Sequence, residues 1–178
     1  VAERLPDIVA EGLSVLFCGI NPALSAAVSG HHFSNPSNRF WRVLHRAGFT
    51  PVEILPENDR TILNHGYGLT AVVERPTAAA DELSAADFAA AGVRFERKIV
   101  RYAPRVVAFL GKPAYAALSG NREISWGLQV AAFGGATAWV LPNPSGRNRA
   151  FSLDQLVIAY RDLHQALKGS SARRIDRR

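Results

Sequence analysis

A single cysteine, Cys18, in 178 residues rules out an intrachain disulfide and any multi-cysteine metal or iron–sulfur centre. It ends an apolar run, where a buried, inert thiol is expected. The five histidines show no zinc-ligand spacing. His31-His32 can ligate a metal, but a loop-surface pair is the simpler reading, so neither metal nor cofactor is expected. No apolar run reaches bilayer length, which argues against a membrane-spanning helix. Val1 to Glu11 carry Glu3 and Asp7 and no signal-like apolar core, so a cytoplasmic protein is expected. The glycine-rich fingerprint of phosphate loops is missing too, since Gly111-Lys112 has no glycine at the upstream spacing. No repeat or linker divides the chain. Residues 1–168 read as one domain and 169–178 as a basic tail of disordered character.

What is present is a core and a positive charge. At 48% hydrophobic, the chain can bury a sizeable interior. Lys and Arg total 21 against 15 Asp and Glu, a net charge of +6, which favours a polyanionic partner. Part of that excess is terminal, in Arg173, Arg174, Arg177 and Arg178. Another part, Arg94, Arg97, Lys98 and Arg101, reads as a solvated helix face.

Val15 to Cys18 is apolar and breaks into Gly19-Ile20-Asn21-Pro22, a short buried strand running into a turn. Pro22 biases Asn21 away from helical geometry and holds it at the strand's carboxyl end. Residues 23–34 read as a loop, in which Phe33 either packs beneath the chain or stacks on a flat ligand. Asn35 or Ser34 is a candidate cap for a helix carrying Phe40, Val43, Leu44 and Ala47. A long helix starts at Ala85 or Val93 and runs to Tyr102. Val106–Leu110 is a second buried strand. Leu128–Phe133 and Ala136–Leu141 are expected as strands joined by Gly134-Gly135. Ser152 caps a last helix with Leu153, Leu156, Val157, Tyr160, Leu163 and Leu167 on one face. Parallel strands joined by helices predict an α/β fold: one three-layer α/β/α domain around a mostly parallel sheet of four or five strands.

Two distant strands therefore end in Asn-Pro elements, Asn21-Pro22 and Asn143-Pro144, and in a parallel sheet both open at the same edge. Ser145, Arg147 and Arg149 follow the second and are credible phosphate contacts. Asparagine both donates and accepts, but it is not a strong base. Catalysis built on it must orient water and stabilise charge around a leaving group that departs largely unaided. Hydrolysis of an N-glycosidic bond has that character.

Phe17-Cys18-Gly19-Ile20-Asn21-Pro22, Asn35 to Trp41, Gly111-Lys112-Pro113-Ala114-Tyr115 and Val140 to Gly146 occur in the order found in one family. From Leu13 to Leu167 the chain resembles the mismatch-specific uracil-DNA glycosylases, bacterial G:U/G:T enzymes of the uracil-DNA glycosylase superfamily. The resemblance implies that Asn21 positions the attacking water and that Phe33 stacks on the flipped base. It implies that the backbone at Gly19, Ile20, Pro22 and Ala23 reads the base edge. Asn143 takes the place of a catalytic histidine found in faster relatives. Gly146, Arg147 and Asn148 match the segment that enters the duplex, with Ser145 and Arg149 beside it as DNA contacts. The implied partner is double-stranded DNA holding a G:U or related mismatch, bound by a monomer. A broader or single-strand-active uracil glycosylase and a non-catalytic mismatch-binding module are the alternatives. Three positions depart from the family pattern: Ala23 replaces a glycine, Ala71 a lysine thought to support the catalytic asparagine, and Arg147 an apolar wedge. The lost lysine suggests a substitute, Asp81, expected either to reach the pocket and help orient water or to be a solvated residue near a helix start.

Overall fold

The computed structural model describes residues 4–175. Its centre is a five-stranded sheet made from β1 (Val15–Gly19), β2 (Tyr67–Ala71), β3 (Val106–Leu110), β4 (Gly127–Leu128) and β5 (Thr137–Leu141). The strand order is β2-β1-β3-β5-β4; the first four are parallel, and β4 pairs antiparallel at the edge. The helices are α1 (Leu24–Ser29), α2 (Phe40–Arg46), α3 (Ala85–Tyr102), α4 (Lys112–Ser119) and α5 (Leu153–Ile175). A 3-10 helix spans Pro56–His65.

The strands read as unbroken apolar runs because both faces of the sheet are covered. The two-residue period sends Val15 and Phe17 to one face, with Phe40, Leu44, Leu156 and Tyr160 of α2 and α5. Leu16 and Cys18 go to the other, with Phe95 and Ile99 of α3 and Tyr115 of α4. Burial pushes the Cys18 thiol well above its usual range, as an inert structural cysteine requires. No helix among the described residues is long and apolar enough to cross a membrane.

Several local expectations are corrected. Residues 23–34 contain α1, which buries Ala26 and Ala27 and ends at Gly30 with a φ of 75°. The following helix starts at Phe40 and not at Ser34 or Asn35. There Asn35 Oδ1 accepts from the Ser37 N–H and Asn38 Oδ1 from the Phe40 N–H, so these side chains form turns before the helix begins. The strand expected at Leu128–Phe133 shrinks to Gly127–Leu128 and one bridge, Phe133 with Ala136, because Val130 finds nothing to pack on and is fully exposed. Lys98 is not a solvated charge; its ammonium lies 2.5 Å from Asp7 and 3.2 Å from the Thr70 hydroxyl. The last helix continues past 168 to Ile175, since nothing from Ser170 to Arg174 breaks it; 176–178 lie outside the described residues.

Candidate active site

At the carboxyl edge of β1, β3 and β5 lies a cleft of about 470 Å³. It brings together Gly19, Ile20, Asn21, Pro22, Ala23, Phe33, Asn143, Ser145, Gly146, Arg147 and Asn148. Arg149 is exposed outside the lining. Asp81 is exposed as well, on a 3-10 turn (Ala80–Glu82); this stretch lines the cleft with Ala78, Ala79 and Ala80 and not with Asp81, which does not reach the pocket. A second hollow of equal size lies beside α3. Its charges are largely consumed internally: Arg4 pairs with Glu74, Arg75 with Asp87 at 3.1 Å, and Lys98 with Asp7. The Asn21 cleft is the stronger candidate because two of its lining amides, Asn21 and Asn143, each keep one polar atom without a protein partner among the described residues.

The chain beyond β1 runs alongside the segment beyond β2. Val72 N–H donates to the Gly19 carbonyl, Val73 N–H to Ile20, Thr77 N–H to Pro22, and Leu24 N–H to Thr77. This pairing delivers two acceptors to Asn21. Its Nδ2 donates to the Arg75 carbonyl at 2.9 Å and to the Thr77 hydroxyl at 2.7 Å. The Thr77 hydroxyl donates onward to the Ala79 carbonyl at 2.8 Å, so it must accept from Asn21. A carbonyl cannot donate, which fixes which end of the amide is nitrogen. Oδ1 of Asn21 takes no protein hydrogen bond among the described residues and faces the cleft as an acceptor.

Asn143 is held the other way. Its Oδ1 accepts from the Ser145 N–H at 2.9 Å, and its carbonyl accepts from Asn148 Nδ2 at 2.9 Å. Among the described residues Nδ2 of Asn143 donates to no protein group, which leaves it an open donor. Pro142, just before it, is fixed through its carbonyl by the buried Tyr160 hydroxyl at 3.0 Å, and burial raises that phenol's pKa.

Phe33 packs beneath the chain and also faces the cleft. Its ring stacks on Phe40 at 4.2 Å and 26°, meets Trp41 edge-on, and also lines the cleft. Its φ of 54° is costly for a residue with a side chain, and neighbouring contacts enforce it. His32 N–H donates to the buried Asp59, the His32 ring bonds the Pro6 carbonyl, and Trp41 Nε1 donates to the His32 carbonyl. Ala23 bridges to Thr77 through the backbone, and Ala71 brings no polar group to the cleft. Among the described residues no cluster of three potential metal ligands exists.

Thr77 is the residue the sequence reading missed. The usable signal was Ala71 itself: an asparagine without its expected support needs another polar partner, and Thr77 is nearer than Asp81.

Residues 6–164 match the family model described as the uracil DNA glycosylase superfamily. The structure is similar to a solution NMR structure from Methanosarcina acetivorans, of a protein proposed to be a uracil DNA glycosylase. The TM-score is 0.58 and the identity 21%, over 92% of this chain and 98% of that one. At that identity the likeness speaks for the fold alone.

Proposed function

We propose, since this chain belongs to the uracil-DNA glycosylase superfamily, that it is a monofunctional glycosylase releasing uracil from mismatched duplex DNA. Membership makes it a DNA glycosylase, a hydrolase acting on DNA. The mismatch preference and the residue roles are our reading. One observation carries it: the cleft offers an acceptor at Asn21 Oδ1 and a donor at Asn143 Nδ2.

In this mechanism the C1′–N1 bond of the flipped nucleotide breaks and its electron pair leaves with the base. Asn143 Nδ2 donates to the oxygen on which that charge settles. Asn21 Oδ1 accepts from a water and aims its lone pair at C1′. The water forms the new C1′–O bond and loses its second proton to solvent. Neither amide titrates, so the pair positions and polarises, and rates are modest. Phe33, backed by Phe40, stacks on the base. Arg147, exposed and without a carboxylate partner among the described residues, fills the gap and hydrogen-bonds the widowed guanine. A mismatched base is the cheapest to extract, which supplies selectivity.

The test is release of free base from duplexes that differ only at the lesion and its partner, together with single-stranded uracil. Uracil should leave G:U faster than A:U, and the abasic strand should stay uncut. Equal release from single strands turns the reading toward a broad uracil glycosylase. Tight binding of abasic DNA with no base released overturns catalysis.

A further inference from the structure

Arg39 does not line the cleft and forms no ion pair among the described residues, yet its guanidinium makes four hydrogen bonds to one loop. Nε donates to the Pro144 carbonyl at 3.3 Å, Nη1 to Phe151 at 2.7 Å, and Nη2 to both Ser145 and Asn148 at 2.8 Å. Its backbone N–H donates to the Pro144 carbonyl as well, at 3.0 Å. These partners lie more than a hundred residues away in sequence, at separations of 105 to 112. All belong to the loop that carries Gly146 and Arg147.

Two further contacts give this arrangement a purpose. A Cβ at Gly146 would meet Ser37 Cβ and its carbonyl at 2.7 Å, so the loop lies directly on the turn that leads into Arg39. The residue after Arg39 is Phe40, whose ring backs Phe33. Residues 37–40 thus touch the duplex-entering loop on one side and the base-stacking ring on the other. Ordering a loop costs conformational entropy at every residue, and a loop ordered in advance does not bring that cost to the encounter. The task needs arginine, because a planar fork reaches several carbonyls at fixed angles and an ammonium does not.

We propose that Arg39 is a positioning residue that keeps the Pro144–Phe151 loop in fixed register with the Phe33 ring, so that opening the duplex depends on it and chemistry on an unpaired base does not. The proposal rests on the glycosylase reading above. Its test is single-turnover excision by Arg39→Lys, which keeps the charge and the half-buried stem, and by Arg39→Gln. The substrates are uracil in a G:U duplex and unpaired uracil, in single strands or facing an abasic site. Excision from the duplex should fall about 10²-fold, the scale of a lost positioning contact, with unpaired uracil little affected. Equal losses on both, or none on the duplex, overturn it. Hydrogen exchange on the protein alone provides the second reading. The Arg147 and Asn148 amides should lose protection in both variants while β1 and β3 keep theirs; unchanged loop protection also overturns it. Wild-type protein that frees no base refutes the glycosylase reading, and exchange still judges the hold of Arg39 on the loop.

Discussion

On one side of the cleft Asn21 gives away both N–H groups, to Arg75 and Thr77; on the other Asn143 gives away its oxygen, to the Ser145 N–H. The same Asn-Pro pair, at the ends of two parallel strands, therefore presents an acceptor in one place and a donor in the other. The difference comes from what surrounds each amide. Asn21 is held from 54 and 56 residues away, by a segment that the sheet brings alongside. Asn143 is held by its own turn, from 2 and 5 residues away. Polarity in this site is thus set by neighbours and not by residue type. The acceptor side depends on correct packing of β1 against β2, while the donor side needs only its own turn.

The contrast breaks first at the amides. Asn21→Ala should slow single-turnover excision roughly 10²–10³-fold, the loss seen when one preorganised polar group is removed. Asn143→Ala should cost about 30-fold, between a neutral hydrogen bond and a full oxyanion donor. A larger loss at Asn143 than at Asn21 would reverse the assigned roles. Thr77→Val keeps the shape and removes the hydroxyl that accepts from Asn21, freeing the amide to turn. About a fivefold loss is expected, in the range of one net hydrogen bond, with Thr77→Ser near wild type. A Thr77→Val enzyme as fast as wild type would mean that the Arg75 carbonyl suffices to aim Asn21.

The strands were legible because burial on both faces leaves unbroken apolar runs, as in Val15–Cys18 and Val106–Leu110. α5 was legible from its periodic face and from Ser152, whose hydroxyl accepts from the Gln155 N–H. α1 was not, because alanine and serine carry no clear periodicity and only Ala26 and Ala27 mark its buried side. The Leu128–Phe133 run misled for the opposite reason: Leu128 and Val130 lie exposed, and only Phe133 reaches the core. In the site, Asn21 and Asn143 were legible since parallel strand ends share an edge. Thr77 was not, because its importance lies in a contact across 56 residues that no local pattern announces. Charge is a poor guide to this support, because Asn21 needs only acceptors, which Arg75 and Thr77 supply and Asp81 does not.

The smallest effect expected from the contrast is a pH response confined to one side. His32 holds the loop that carries Phe33, and burial lowers its pKa from 6.5, against the opposing pull of the Pro6 carbonyl and the Asp59 charge. The folded protein then binds this proton less tightly than the unfolded chain, so stability present above the ordinary value is lost as pH falls through the folded one. The loop from Pro144 to Phe151 contains arginines and no group titrating in that range. His164, also lowered by burial, packs on Phe49 at the far end of the core, so a global melting curve mixes two titrations. Local measurement separates them. From about pH 7 to about pH 5, across the ordinary histidine range, protection of the His32 amide, corrected for intrinsic exchange, should fall. Protection of the Asn148 amide, bonded to Ser145, should hold. His32→Gln, which can still donate to the Pro6 carbonyl without titrating, should abolish the response. Equal acid sensitivity of both amides would show that the two halves of the cleft loosen together, and that the separation between long-range and local support does not govern how the site opens.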